Sequence, residues 1–417
     1  MHRFPSLPPV LALLAALGAP AWADGPAFSF KGFGTLGVIG TDTDRIGFRR
    51  DFTQTGGATY HGNAETVDID SRLGLQVDAD FNRAFHATVQ WVARNHAGDF
   101  FEQNLEWAFL RWRPRDDLDI RAGRIGADAF MLSDHRNLGY AYPWMRPPHE
   151  FYALLVPYHF NGADITQRFA LGEGYLSVKA YGGYSLNQMS SLLQHTRDAS
   201  LRTVLYGGNL AYESGDWRAR LGYAQVDTLN DLGQSSLYQT LEDPWVNLLW
   251  PGAQSLIPTL KVEHKQIHYG SVGLAYDDGL WQIQTEASYA GSSNIQQFPS
   301  LVSGYLSLGR RFGHVTVYGL YGVAESLNDH KTLPKTAIPL ASVETLRSYV
   351  NTLLDGIQAD QQSASLGLRW DVYENIALKA QWSHFWLGRD GALYWTNPEP
   401  PIPTQVNVWS VGVDFVF

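Results

Sequence analysis

VDIDSRLGLQVDADF, Val67 to Phe81, reads as two interleaved rows. Val67, Ile69, Leu73, Leu75, Val77, Ala79 and Phe81 form an apolar row broken only by Ser71. Asp68, Asp70, Arg72, Gln76, Asp78 and Asp80 form the other, with Gly74 among them. A strict period of two places one row on each face of a β-strand. Strands of ordinary soluble proteins run about 5–6 residues, so a stretch this long calls for a special environment.

The pattern recurs along the chain. In AFHATVQWVAR, residues Phe85, Ala87, Val89 and Trp91 oppose His86, Thr88 and Gln90. In DWRARLGYAQV, Trp217, Ala219, Leu221 and Tyr223 oppose Arg218, Arg220, Gly222 and Ala224. LWQIQTEASYA, SASLGLRWDVY and NIALKAQWSHF repeat it around Trp281, Trp370 and Trp382. The predicted connections alternate in length. Short turns fall at 82–83, 114–117, 171–173, 214–216, 277–279, 313 and 374–375. Long segments fall at about 40–63, 96–103, 126–159, 186–202, 229–263, 292–300, 326–362 and 389–403. Together they predict an all-β transmembrane antiparallel barrel of about 16 strands, with short periplasmic turns and long external loops. The apolar row then faces lipid and the polar row a watery lumen, and closure leaves no unpaired edge in hydrocarbon. Tyr175, Trp217, Tyr223, Trp281, Tyr289, Trp370 and Trp382 are candidates for the interfacial girdles. A soluble sandwich or β-helix explains the alternation but not the short–long rhythm.

Composition agrees. The chain has 417 residues, 13% aromatic, with 40 Gly, 14 Trp and 21 Tyr. Hydrophobic residues make up 45%, yet mean hydropathy is −0.21, so apolar residues are not gathered into the ~18–20-residue runs of membrane helices. A net charge of −10 argues against nucleic acid as a partner. With no Cys, disulfides, thiolate catalysis and Cys-ligated metals are excluded. Residues 1–23 read as a signal peptide: Arg3, an apolar stretch from Val10 to Leu17, and AWA ending at Ala23. That leaves 24–417 as the barrel.

VNVWSVGVDFVF, ending at Phe417, places Trp409, Val411, Val413, Phe415 and Phe417 on one face. With FSFKGFGTLGV near the start and LDIRAGRIGADAF before the third long segment, the chain resembles the Gram-negative porin superfamily. The resemblance spans essentially all of 24–417 and selects no subfamily. It implies an outer-membrane location among lipid and lipopolysaccharide, a homotrimer, and Phe417 as a signal read by the outer-membrane assembly machinery. It also implies a third external loop folded into the pore.

That loop, about 126–159, carries many Met, Leu, Tyr, Trp, Phe and Pro residues for a solvated segment. Its charges Asp134, Arg136, Arg146 and Glu150 are the candidates for the constriction. By parity, Lys31, Arg72, Arg218, Arg220, Arg311, Arg369 and Lys379 line the pore, with Asp68, Asp70, Asp78, Glu286 and Asp371. Seven wall cations against five carboxylates, plus Arg136 and Arg146 against Asp128, Asp134 and Glu150, predict weak anion preference or near-neutral selectivity. Charges in remote loops are screened beyond a Debye length of ~8 Å.

No HExxH, GxSxG or P-loop motif is present, and adjacent Ser383 and His384 face opposite sides of a strand. The sequence therefore reads as a non-enzymatic passive channel for small hydrophilic solutes and ions, needing no cofactor or metal. The alternative is a substrate-selective uptake channel for sugar, carboxylate or phosphate. A receptor-type barrel would carry a plug, and strand character begins near Ala27, which leaves no room for an N-terminal one.

Overall fold

The structure is a computed structural model describing residues 25–63, 65–153, 157–189, 199–232, 234–292, 300–327, 333, 340–355, 359–388, 394–396 and 401–417. The signal-peptide reading of residues 1–23 lies outside these.

Sixteen antiparallel strands close into one barrel. They are β1 (Ala27–Thr41), β2 (Arg72–Asp80), β3 (Phe85–Arg94), β4 (Leu105–Arg115), β5 (Leu118–Gly126), β6 (His159–Leu171), β7 (Gly174–Met189) and β8 (Ala199–Ser214). The second half comprises β9 (Trp217–Thr228), β10 (Gln266–Asp277), β11 (Trp281–Ser292), β12 (Leu301–Phe312), β13 (Val315–Ser326), β14 (Asp360–Tyr373), β15 (Ile376–Leu387) and β16 (Gln405–Val416). Each strand pairs with its chain neighbours, and β1 pairs with β16 to shut the barrel. Short turns and long loops alternate as the sequence predicts. Gly172 (φ 60°) and Gly313 (φ 61°) adopt the left-handed conformation that tight turns need and that glycine tolerates without steric cost.

One boundary differs. The strand of the opening stretch starts at Arg72, not Val67. Glu65–Asp68 form a helical turn, and Ser71 N–H bonds to the Val67 carbonyl. Asp68 is exposed on that turn and is not part of the wall. Tertiary demand overrides the alternation here. Ile69 packs into an apolar cluster of the first loop, and Asp70 is drawn into an ion pair with Arg146.

Outside, the barrel is apolar. Leu36 is 64% exposed, Val411 62% and Leu221 56%. Such a jacket is unfavourable in water and favourable in lipid. Aromatic residues band both rims. Trp217 meets Tyr276 at 4.7 Å, and Phe85 stacks on Trp112 at 6.2 Å near the short turns. Tyr289, Trp382 and Trp386 stand on the loop side. At the seam, Gly32 and Phe417 exchange two backbone hydrogen bonds of 2.8 and 2.9 Å. The Phe417 ring lies where a side chain on Gly32 would be.

Trp281 points outward at the short-turn rim, beside Arg310, whose guanidinium sits 4.8 Å from the indole centroid. Gln282 points inward and donates to Asp277 at 2.9 Å. The lipid face is therefore tested better in mid-strand. Leu221→Arg is expected to destabilise the barrel by about 2–4 kcal/mol, the cost of a lipid-facing cation at the midplane. Trp281→Arg at the rim should cost about 0–1 kcal/mol, and Gln282→Arg should be tolerated. Denaturant titration of refolded protein checks the order, and equal effects of Leu221→Arg and Gln282→Arg would overturn the face assignment.

Other external loops add structure of their own. The helices Ser235–Glu242 and Pro244–Leu249, between β9 and β10, pack on Ala341–Asp355, between β13 and β14. Leu241, Leu260, Val350 and Leu354 are buried where they meet. Gly47–Phe48 of the first loop pairs with Trp395–Thr396 of the last as a two-stranded bridge.

Candidate functional site

The third loop, between β5 and β6, runs around the inside of the wall. Its neck closes where Ala127 N–H donates to the Tyr158 carbonyl, 2.8 Å. Asp128 then engages Lys179 of β7 and Arg220 of β9, the latter at 2.6 Å. Burial disfavours the Asp128 carboxylate, but these two cations outweigh it and hold its pKa well below the usual range. Ser271 of β10 donates to the Ala129 carbonyl at 2.8 Å. Glu286 of β11 accepts from Met131 N–H at 2.8 Å, from Tyr305 at 2.7 Å and from Tyr152.

The far arm reaches the opposite wall. Lys379 of β15 donates to the carbonyls of Gly139, Tyr142 and Trp144, each at 2.7 Å, and pairs with Asp414 at 2.8 Å. Arg369 of β14 donates to the Tyr140 carbonyl at 2.6 Å. Trp144 Nε1 donates to Ser307 of β12 at 2.8 Å. Arg72 of β2 donates to the Asn137 carbonyl at 2.6 Å. The apolar side chains of the loop, Phe130, Trp144, Phe151 and Tyr152, pack on the inward Tyr305, Tyr318 and Leu320. The first loop adds buried Phe48, Arg49, Arg50, Asp51 and Phe52 to the outer half of the lumen. The third and first loops thus pack against inward-facing side chains of the wall.

The candidate constriction residues separate. Arg136 is nearly buried and donates to Glu106 of β4 at 2.7 Å. Arg146 is 3% exposed and bonds Asp70 through Nε at 3.0 Å and Nη2 at 2.6 Å, with Ser410 also in reach. Glu150 is buried against Gln361 of β14 at 2.7 Å, and burial raises its pKa above the ordinary carboxylate value. Asp134 alone of the four is exposed. Arg136, Arg146 and Glu150 therefore fasten the loop to the wall and to the first loop instead of standing in open water.

The candidate lining residues all project from the inner face, at two levels. Arg72, Lys379 and Glu286 are buried against the third loop, and Arg220 and Arg369 are mostly so. Lys31, Arg218 and Arg311 lie near the short turns and are open to solvent. They pair with Asp78 at 2.9 Å, Glu213 at 2.8 Å and Asp277 at 2.8 Å.

At that same level lies a basic arc that the sequence reading passed over. Arg111 and Arg113 of β4 and Arg168 of β6 surround Asp119 of β5, at 4.0, 3.0 and 3.1 Å. Arg121 grips Asp164 at 3.0 Å beside them. Four guanidinium groups thus share two carboxylates; water reaches Arg111, Arg113 and Arg168, whereas Arg121 is nearly buried. The signal was in LRWRPR, Leu110 to Arg115, where arginine recurs every second residue opposite Leu110 and Trp112.

A closed barrel with an apolar jacket, aromatic rims and a charged inner wall is an outer-membrane β-barrel. Its fold is porin-like, and solved structures share it. An anion-selective porin from Comamonas acidovorans superposes with a TM-score of 0.52 at 12% identity, covering 94% of this chain and 100% of that one. OmpF of Salmonella typhi, in a complex with daunomycin, gives 0.51 at 11% identity, covering 94% and 98%. The sequence itself matches no family model and no curated protein. Identities this low speak for the fold alone.

Proposed function

We propose that the protein is a passive outer-membrane channel for small hydrophilic solutes and ions, of low conductance because its third loop fills the waist. The observation that carries this reading is the inner face: polar or charged side chains project inward from strand after strand, and the loop lies across their path. Charged rings set ion preference in pores. The exposed part of the lumen holds Arg111, Arg113 and Arg168 of the basic arc, which favour anions. No chemistry on the solute, cofactor or metal enters the reading.

The remaining roles belong to the same reading. Residues 1–23 are removed on export. Phe417, exposed on the lipid face, is presented to the assembly machinery. Three copies associate about an axis along the membrane normal, which keeps every subunit in one orientation toward lipid and lipopolysaccharide.

The densely packed waist favours a second reading, a substrate-selective channel that admits one class of solute. Planar-bilayer recording separates the two. General diffusion gives current that falls with solute size only, whereas a selective site gives block by one solute at micromolar to millimolar levels. In a KCl gradient the reversal potential is expected to show modest anion preference. A strongly cation-selective value would overturn the assignment of the arc as the controlling charge, and absence of channel events from folded protein would overturn the channel itself.

A further inference from the structure

Between the first and third loops, where both meet β2–β4, lies a cavity with about 20 Å³ of free space. Arg50 and Asp51 of the first loop and Arg136 and Asn137 of the third line it. A space of this size admits about one small occupant. Among the described residues, the charges around it do not balance. Arg50, Arg72, Arg94, Arg136 and Arg146 are each nine-tenths buried or more, and so are Asp51, Asp70 and Glu106. Five guanidinium groups against three carboxylates leave an excess of two positive charges. Arg49, also buried, donates to the Tyr394 carbonyl. Lys379 and Asp414 nearby cancel each other. His96 and His149 contribute nothing, because burial holds their pKa values at about 4 and about 3.

The carboxylates are already committed. Asp51 accepts from Thr53 N–H at 2.9 Å and from the Thr53 hydroxyl, and lies 3.5 Å from Arg94. Glu106 takes Arg136 and Asn137. Among the described residues, the guanidinium of Arg50 makes one hydrogen bond, from Nε to Asp51 at 3.3 Å. Its terminal nitrogens have no acceptor among those residues, and Arg94 Nε is buried without one. Arg50 and Arg94 share the one carboxylate of Asp51, and buried positive charge in excess of its counter-charge is unfavourable. A water molecule would accept hydrogen bonds but leave the charge as it is.

We infer that this cavity holds one small inorganic anion of halide size, clamped between Arg50 of the first loop and Arg136 of the third. Its role is structural: it ties the two loops together across the lumen.

Crystals of the full-length protein soaked in bromide test this directly. An anomalous difference peak between Arg50 and Arg136 is expected, and a site that stays without anomalous signal, occupied by water or empty, overturns the inference. Solution stability gives a second measure. The denaturation midpoint should rise in sodium chloride over sodium gluconate at equal ionic strength, and the rise should saturate. Arg50→Gln should abolish that difference, while Arg311→Gln at the exposed rim should keep it. A rise identical in both salts, or one that persists in Arg50→Gln, overturns the inference. If Arg50→Gln does not fold, the bromide experiment on the unaltered protein decides alone.

Discussion

Removing Asp134–Pro148 is expected to raise single-channel conductance several-fold while the barrel stays assembled. The excised segment contains Arg136, Trp144 and Arg146, which carry the third loop to β4, β12 and the first loop. It also contains Gly139, Tyr142 and Trp144, whose carbonyls hold Lys379. The sixteen-strand hydrogen-bond ladder does not depend on it. Glu106, Asp70 and Lys379 lose partners but gain water, so they become a wider polar lining instead of stranded charges. Heat-modifiable mobility on gels reports assembly, and bilayer recording reports the pore. Conductance that stays at the parent level would show that the loop is not what limits flow.

The second large effect is at the Asp70–Arg146 pair. Both side chains are almost completely buried. Asp70→Asn keeps the shape and leaves Arg146 without its counter-charge, which typically costs about 3–5 kcal/mol. Replacing both, Asp70→Leu with Arg146→Met, removes the stranded charge and should recover much of that loss. The pair also predicts a pH dependence. Burial disfavours the Asp70 carboxylate, but Arg146 and then Arg72 outweigh it, so its pKa lies below the usual carboxylate value. A depressed carboxylate contributes stability above its unfolded pKa and loses it as pH falls through the folded one. The native protein should therefore lose third-loop anchoring only in strong acid, and Asp70→Asn should flatten that part of the profile. A double variant no more stable than Asp70→Asn would count against the pair as the anchor.

The barrel was legible because its signal is repeated. Alternation through Leu73, Leu221 and Leu368 and the short–long rhythm of connections each report the same closed sheet, so a local error such as the strand start at Val67 does not propagate. The inner surface was legible only in part. Parity put Arg220, Glu286 and Lys379 inside but could not tell that they meet a loop and not water. That distinction rests on contacts between residues such as Lys379 and Gly139, 240 positions apart, which no local pattern encodes. A hint existed in the large inward residues Tyr181, Leu205, Tyr269, Tyr305 and Tyr318, which an open aqueous lumen does not require. The basic arc was visible in Arg111 and Arg113, but Arg168 joins it only through the β5–β6 pairing. The first loop, read only as a long external segment, supplies Arg50 and Asp51 to the interior, because buried charge recruits charge regardless of distance along the chain.

The seam between β1 and β16 has a kinetic consequence. Fifteen of the sixteen strand pairings join neighbours in the chain, and such local contacts cost little chain entropy and form early. The sixteenth joins residues as distant as Thr35 and Asp414, 379 positions apart. Until it forms, the sheet carries two bare edges, each a template for pairing with another chain. The vulnerable species in this protein's life is therefore a nearly complete open sheet, and the time it spends open sets the competition between closure and aggregation. Anything that holds β1 beside β16 during insertion would shorten that interval without adding a single contact to the finished barrel.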